Sequence, residues 1–364
     1  MREYFKGKNV IVVGATGGLG SGIVKAFASS GARLLLAGRN EEKLSELVRE
    51  IKGDITNTTI DVTVAESIEK FRDFAWKWSE KIDIVVNVSG YDVRKSLDDH
   101  SVNEVEDTLR INLLGTILLT KIFLPIMKNN KGSLISHIGG FADGRMAFPY
   151  YSVDVASRSG VFSFIESINR ELELEGSQTR VFFFCPSPAD TDAERPFHSL
   201  WKQMGVKIQP VENVADALLN AIEKRKSVSI MGGTATVIFA KLNSIMPKLA
   251  DFLVMKNYGR MLKDYLYRET GSTIQLPNKR SKILNRIAIV LVVLSFVLYG
   301  LIFAVPFLPL SIAHKAVAIP ILVATGEATW WIGVALVGKQ VISKYRRYLN
   351  PCYWFVGNKC NSST

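Results

Sequence analysis

Eleven residues near the N-terminus, V-I-V-V-G-A-T-G-G-L-G from Val10 to Gly20, constrain this chain more than any other stretch. Four apolar residues run into a glycine-rich turn, with Gly14, Gly18 and Gly20 at its first, fifth and seventh positions. An amphipathic segment follows. A buried strand that stops at such a turn and restarts as a helix leaves backbone N–H groups unpaired at the helix N-terminus. Those groups, with the helix dipole, suit the pyrophosphate of a dinucleotide. A strand–turn–helix connection with no ligand has the same local pattern, so the rest of the chain decides between the two.

Downstream, apolar runs of strand length alternate with segments of helical period. Strands are expected at Asn9–Val13, Arg33–Ala37, Thr58–Val62, Ile82–Val86, Ser133–Ile138 and Arg180–Phe184. Helices are expected at Ser21–Ser30, Glu41–Ile51, Ser67–Ser79, Val102–Lys128 and Ala156–Glu173. Strands that alternate with helices pair in parallel through right-handed crossovers, which predicts an α/β fold with a doubly wound parallel sheet. The near-continuous apolar strands fit a sheet covered on both faces.

Charge narrows the partners. The chain has 364 residues and a net charge of +11, much of it gathered after residue 240 around the most apolar part of the sequence. That distribution fits an anionic membrane surface. No zinc-finger, basic-zipper or basic-aromatic spacing accompanies it, so nucleic acid is not an expected partner. The three cysteines, Cys185, Cys352 and Cys360, show no C-x-x-C spacing, so neither a disulfide framework nor a metal site is expected. The first residues, M-R-E-Y-F-K, hold no apolar core of a signal peptide.

Five motifs in order resemble the short-chain dehydrogenase/reductase family, over roughly Lys6 to Lys226. Gly14, Gly18 and Gly20 match the family's nucleotide turn, with Thr16 and Leu19 inside it and Val13 where threonine is usual. Asp61-Val62 matches the pair that contacts adenine. Asn87-Val88-Ser89-Gly90 resembles the element that braces the central sheet and touches the cofactor. Asn112, in R-I-N-L-L-G-T, matches the asparagine of the catalytic tetrad. Pro186 and Thr191 match the loop after the sixth strand, with Ser187 in place of its glycine. The resemblance implies a nicotinamide dinucleotide cofactor, oxidoreductase chemistry and self-association into a homo-oligomer.

Cofactor choice is readable at the end of the second strand. A carboxylate there would bind a ribose hydroxyl and repel a 2′-phosphate. The sequence instead has Ala37-Gly38-Arg39-Asn40. Arg39 can pair with a phosphate, so NADP(H) is preferred over NAD(H). The competing reading makes Arg39 an ordinary surface arginine.

The expected chemistry departs from the family. Aligning Ser167-Ile168-Asn169-Arg170-Glu171-Leu172 with the family's S-L-x-R-E-L sets Asp154 at the catalytic tyrosine and Arg158 at the lysine. The catalytic serine position falls on Gly139 or Ile138. Arginine stays protonated and cannot relay a proton as a neutral amine. Aspartate is ordinarily ionised at neutral pH and cannot donate one. Three readings stay open. Asp154 and Arg158 form an i,i+4 ion pair on a helix without chemistry. Alternatively Tyr150 or Tyr151 is a displaced proton donor, with Arg158 seven residues after Tyr151 able to lower its pKa. Finally, His137 is the acid, although its place in an apolar strand suits a core histidine better.

Past the sixth strand, Phe197–Gly205 is either a substrate lid or a packed surface helix, and Val211-Glu212-Asn213-Val214-Ala215 opens a helix to about Lys226. Between Ile238 and Arg268 apolar residues recur among lysines and arginines, as in helices lying on an anionic bilayer. From Ile287 to Ala313 there is no charged residue, and Ala316–Gly338 is interrupted only by Glu327. Each stretch is long enough to span a bilayer. Basic residues flank the pair on both outer sides, which places both flanks, both termini and the reductase-like domain in the cytoplasm. The expected organisation is therefore 1–235 dinucleotide-binding, 236–278 membrane-proximal, 279–347 a two-helix hairpin, and 348–364 a tail. Leu308–Ser311, Gly326-Glu327, Trp331-Ile332-Gly333 and Gly338-Lys339 resemble a two-helix membrane module found as a suffix on some transporters. Glu327 is costly in a bilayer unless neutral or paired.

Two functions are compatible with these features. One is a membrane-anchored NADP(H)-dependent reductase acting on a lipid carbonyl or alcohol. The other is an NADP(H)-binding pseudoenzyme that senses or scaffolds at the membrane.

Overall fold

The computed structural model describes residues 2–128, 130–140, 146–269, 291, 294–302, 305, 315, 317–318 and 320–329. The chain divides into two compact units, Met1–Ser272 and Thr273–Thr364.

The first unit is built on seven parallel strands: β1 Asn9–Val13, β2 Arg33–Gly38, β3 Ile55–Thr59, β4 Ile84–Asn87, β5 Leu134–Ile138, β6 Arg180–Cys185 and β7 Val228–Ile230. Their order is β3-β2-β1-β4-β5-β6-β7. Alternation along each strand sorts the core onto two faces. Val10 and Val12 face one way, with Leu34, Leu36, Phe182 and Phe184. They pack under α1 (Gly18–Ser29) and α8 (Val211–Glu223). Ile11, Val13, Leu35 and Phe183 face the other. They pack under α3 (Ala65–Trp78), α5 (Gly115–Met127) and α6 (Ser152–Leu174). The order reverses at β1 and β4, so the turns after these two strands splay apart and open a crevice at their C-terminal ends.

The expected α/β doubly wound sheet is what forms. The fourth strand is shifted from the expected Ile82–Val86 to Ile84–Asn87, and two strands differ more. The third was placed at Thr58–Val62 but pairs as Ile55–Thr59, with Leu34 opposite Ile55 and Gly38 opposite Thr59. It is an edge strand and its T-N-T-T residues are half-exposed or exposed, so its hydrophobic signal is weak. The buried Ile60 and Val62 lie just beyond it, in the turn lining the crevice. The edge strand β7, only three residues long, had no signal that distinguished it. The predicted helix at Val102–Lys128 runs as α4 (Val102–Leu109), a π-turn at Arg110–Leu114 and α5. Among the described residues it is the one helix long and apolar enough to cross a membrane. It instead covers the sheet through Leu119, Phe123 and Met127.

Helix α2 (Glu41–Glu50) adds Leu44 and Leu47 to the first face. Beyond the sheet lie α7 (His198–Gln203), α9 (Gly233–Ile245), α10 (Pro247–Val254) and α11 (Arg260–Glu269). Leu200, Trp201, Met204, Ala240, Val254, Leu262 and Leu266 make a third apolar cluster with Met146, Phe148 and Tyr151. On the outside of α9 and α10, Ile238, Ile245, Leu249 and Phe252 are exposed.

Most of the two expected membrane spans and the tail at 348–364 lie outside the described residues. Within the second unit, 294–302 and 320–329 are helical. Tyr299 there donates a hydrogen bond to Glu327 Oε1 at 2.8 Å.

Candidate active site

Gly14 ends β1 at φ +82°, where a Cβ would stand 2.8 Å from the Ser89 amide nitrogen. A Cβ on Gly20 would meet the Gly14 carbonyl oxygen at 2.2 Å. These two contacts require glycine; they draw the end of β1 against the turn after β4 and the start of α1 against the end of β1. Gly17 precedes α1 with no side chain capping it, so the first amides of α1 face the crevice.

The crevice has two parts. One, about 330 Å³, is lined by Gly14, Thr16, Arg39, Asp61, Val62, Ser89 and Gly90 among others. The other, about 310 Å³, is lined by Gly18, Leu19, Gly20, Tyr151, Asp154, Arg158, Pro186 and Thr191, and also by Asp92, Arg94 and Glu194. Of the residues expected to hold a dinucleotide, only Asn87 lies behind the wall. Its side-chain oxygen accepts from the amide and hydroxyl of Ser89, and its Nδ2 reaches Thr116 and His137. Asn87 thus fixes the turn from inside.

Arg39 is exposed at the end of β2, with Lys43 on the same wall and no carboxylate at that strand end. Burial pushes the Asp61 carboxyl up. Hydrogen bonds from the Thr63 hydroxyl and amide, with the charge of Arg39, outweigh it and hold the group below its ordinary value.

Asn112 sits in the π-turn, a distortion that recurs at functional sites. It is fully buried. Its Nδ2 donates to the Tyr91 carbonyl at 2.8 Å and Asp154 Oδ1 at 3.1 Å, with Ser157 Oγ at 3.3 Å. Asp154 also pairs with Arg158 Nε at 3.2 Å, and Arg158 Nη1 donates to the Ile138 carbonyl at 3.1 Å. The i,i+4 ion pair is therefore present, but inside the crevice, with both side chains only 11% exposed.

The helix starts one turn earlier than expected, and Tyr151 is its N-cap residue. Tyr151 is 8% exposed, and its hydroxyl has no hydrogen-bond partner among the described residues. Burial pushes its pKa up, against the opposing charge of Arg94. The expectation that Arg158 would lower this pKa is corrected: Arg158 is turned to Asp154 and Ile138, and the cation over the Tyr151 ring is Arg94, at 5.5 Å. Tyr150 has φ +70° and packs beside the third apolar cluster; it lines neither part of the crevice.

Gly139, at the expected serine position, is closed to a side chain. A Cβ there would lie 2.4 Å from the Phe183 ring. His137 is no acid either. Its Nε2 pairs with Thr120 Oγ1 at 2.7 Å, and that hydroxyl donates on to the Thr116 carbonyl. Its Nδ1 then accepts from Asn87, which makes it a neutral brace, and burial pushes its pKa down to about 3.

Sequence reasoning missed Asp92, Arg94 and Glu194, which lie in loops with no motif. A wider chamber of about 660 Å³ adjoins the crevice and shares the wall Pro186–Pro188. Met146, Phe148, Met204, Val206, Phe239 and Tyr258 line it. The Phe148 ring lies 6.4 Å from that of Tyr151.

A glycine-rich turn at the switch point of a doubly wound sheet, with a polar cluster at its mouth, defines a dinucleotide-site class of protein. Comparison with known proteins makes this specific. Residues 8–199, more than half of the chain, match the short chain dehydrogenase family, and the chain belongs to it. An uncharacterized oxidoreductase of Staphylococcus epidermidis is 27% identical over 228 residues, covering 62% of this chain and 95% of that relative. Dehydrogenase/reductase SDR family member 7B of Danio rerio is 25% identical over 297 residues, 74% of this chain and 89% of its own. Among solved structures, a Burkholderia phymatum short chain dehydrogenase/reductase in complex with NAD matches with a TM-score of 0.61 at 23% identity. It covers 68% of this chain and 96% of that one. A Burkholderia cenocepacia short chain dehydrogenase in complex with NADP matches with 0.59 at 22%, covering 70% and 99%. At these identities the structures share the fold.

Proposed function

We propose that this protein is a membrane-anchored, NADP(H)-dependent reductase of a lipid carbonyl, with Tyr151 as the proton donor. The residues fit a nicotinamide dinucleotide. Gly14 and Gly20 permit close backbone approach, the uncapped start of α1 suits a pyrophosphate, and Arg39 with Lys43 suits a 2′-phosphate. Solved relatives of the same fold hold NAD in one case and NADP in another. When bound, the reduced dinucleotide supplies a hydride.

The observation that carries the reading is Tyr151. Its hydroxyl is buried, has no hydrogen-bond partner among the described residues, and is kept toward its protonated form by burial, on the wall of the crevice and beside the chamber. A group kept protonated can donate as an alkoxide develops, which is what reduction requires. The chamber's methionines and aromatic rings suit an apolar chain. The lysines set among exposed apolar residues on α9 and α10, and the uncharged stretch at 287–313, support membrane attachment with the reductase unit in the cytoplasm. Such attachment raises the concentration of a lipid substrate at the site.

One observation favours the pseudoenzyme reading: Phe183 fills the serine space and Asp154 is committed to Arg158 and Asn112. The test is NADPH oxidation by the full chain in anionic vesicles, with long- and short-chain ketones and aldehydes. The reductase reading expects turnover with long-chain carbonyls, falling by about a hundredfold or more in Tyr151→Phe. Tight NADPH binding with no carbonyl reduced would establish the pseudoenzyme.

A further inference from the structure

Arg94 belongs to none of the motifs above, yet among the described residues it is the most heavily engaged cation at the crevice. Its side chain is only 10% exposed. Two carboxylates hold it: Asp92 at 2.5 Å, and Glu194, which takes both Nη1 and Nη2 at 2.8 Å. Glu194 is fixed in turn by the Trp201 indole N–H. Three aromatic rings surround the guanidinium, those of Phe197 at 4.1 Å, Tyr151 at 5.5 Å and Trp201 at 5.6 Å. Desolvating an arginine is costly, and the two carboxylates offset that cost while fixing its plane.

Placement gives the arrangement a use. When bound, the reduced dinucleotide would supply a hydride, with its electron pair, to the carbonyl carbon. The Tyr151 O–H bond breaks, its proton goes to the carbonyl oxygen, and a phenolate remains until solvent returns a proton. That phenolate would form near the carboxylates of Asp92, Asp154 and Glu194. Arg158, the residue at the family's lysine position, is already spent on Asp154 and the Ile138 carbonyl.

We propose that Arg94 is the positioning residue for proton transfer at Tyr151, supplying from the loop after β4 the positive charge that Arg158 does not, with Glu194 locking it in place. The proposal rests on the reading of Tyr151 as proton donor. Arg94 Cζ lies 5.5 Å from the Tyr151 ring centroid. At an effective dielectric of about 20 a lone charge at such a distance changes an acid constant by about a hundredfold, and the opposing charges of Asp92 and Glu194 reduce that to about tenfold. Burial still leaves the tyrosine protonated, and Arg94 reduces the cost of its brief ionisation.

The test titrates position 151 directly, in the full chain without cofactor or substrate. A difluorotyrosine in place of Tyr151 ionises within reach and reports through its fluorine resonance. Arg94→Gln is expected to raise its pKa by about one or more, Arg94→Lys to recover most of that, and Arg158→Gln to move it by less than about 0.5. Thermal melting and NADPH binding check each fold. If Arg94→Gln does not fold, the Arg158→Gln arm still decides, because a rise of about one or more there overturns the proposal. So does a folded Arg94→Gln protein whose titration is unmoved. If the protein reduces no carbonyl but the titration responds to Arg94, the reductase reading fails and the electrostatic pairing stands. If Tyr151→Phe abolishes turnover while the titration ignores Arg94, the reductase reading stands and Arg94 only packs the loops.

Discussion

Acidification should loosen this protein through one buried histidine. His137 is fully enclosed by β4, β5 and α5, with both ring nitrogens engaged and its pKa pushed from 6.5 down to about 3 by burial. In the unfolded chain it binds a proton near pH 6.5; in the folded chain it does not until about pH 3. The unfolded state therefore holds more protons across that window, so stability is full above pH 6.5 and falls as pH drops. At about 1.36 kcal/mol per pKa unit the whole effect approaches 5 kcal/mol, of which about 2 kcal/mol is lost between pH 7.5 and pH 5. The assay is native-state hydrogen exchange of peptides spanning β5 and α5, corrected for intrinsic rates, on wild type and His137→Gln. At neutral pH the glutamine variant should open more readily, since the pairings with Thr120 and Asn87 are disturbed. Its further loss on acidification should be smaller than that of wild type by about 2 kcal/mol. Parallel losses in the two proteins would refute the reasoning and place the acid sensitivity elsewhere.

Two more substitutions probe the crevice. Arg39→Ala should weaken NADPH by about tenfold or more, the worth of charge-assisted phosphate bonds, and leave NADH nearly unchanged; fluorescence titration that finds equal losses for both removes the 2′-phosphate role. Gly139→Ser should cost about 1–3 kcal/mol by urea unfolding, because its Cβ meets the Phe183 ring, and a second change Phe183→Leu should relieve part of that cost. A serine variant as stable as wild type would show that the ring moves aside freely.

How much was legible follows from the range of each interaction. The nucleotide turn, the strand–helix alternation and the Asp154–Arg158 pair could be read because their partners lie within a few residues. The third strand was misplaced because an edge strand shows its fold in backbone pairing with β2, while Ile60 and Val62 are buried by the turn that follows. The apolar Val102–Met127 helix shows the converse difficulty, since its composition fits a membrane as well as a sheet face, and only Phe71, Phe162 and the strands beneath place it in the core.

The sequence by itself determined a doubly wound sheet, a glycine turn with room for a dinucleotide, and the residue types at the positions where chemistry is expected. These are matters of period, of glycine's missing Cβ and of residue identity. Tertiary structure decided the rest. Arg94 and Glu194 are one hundred residues apart and pair, with Arg94 over the Tyr151 ring. Phe183 arrives from β6 to fill the space at Gly139. Which cation faces which acid depends on how loops from different crossovers close over the switch point, and no local pattern encodes that.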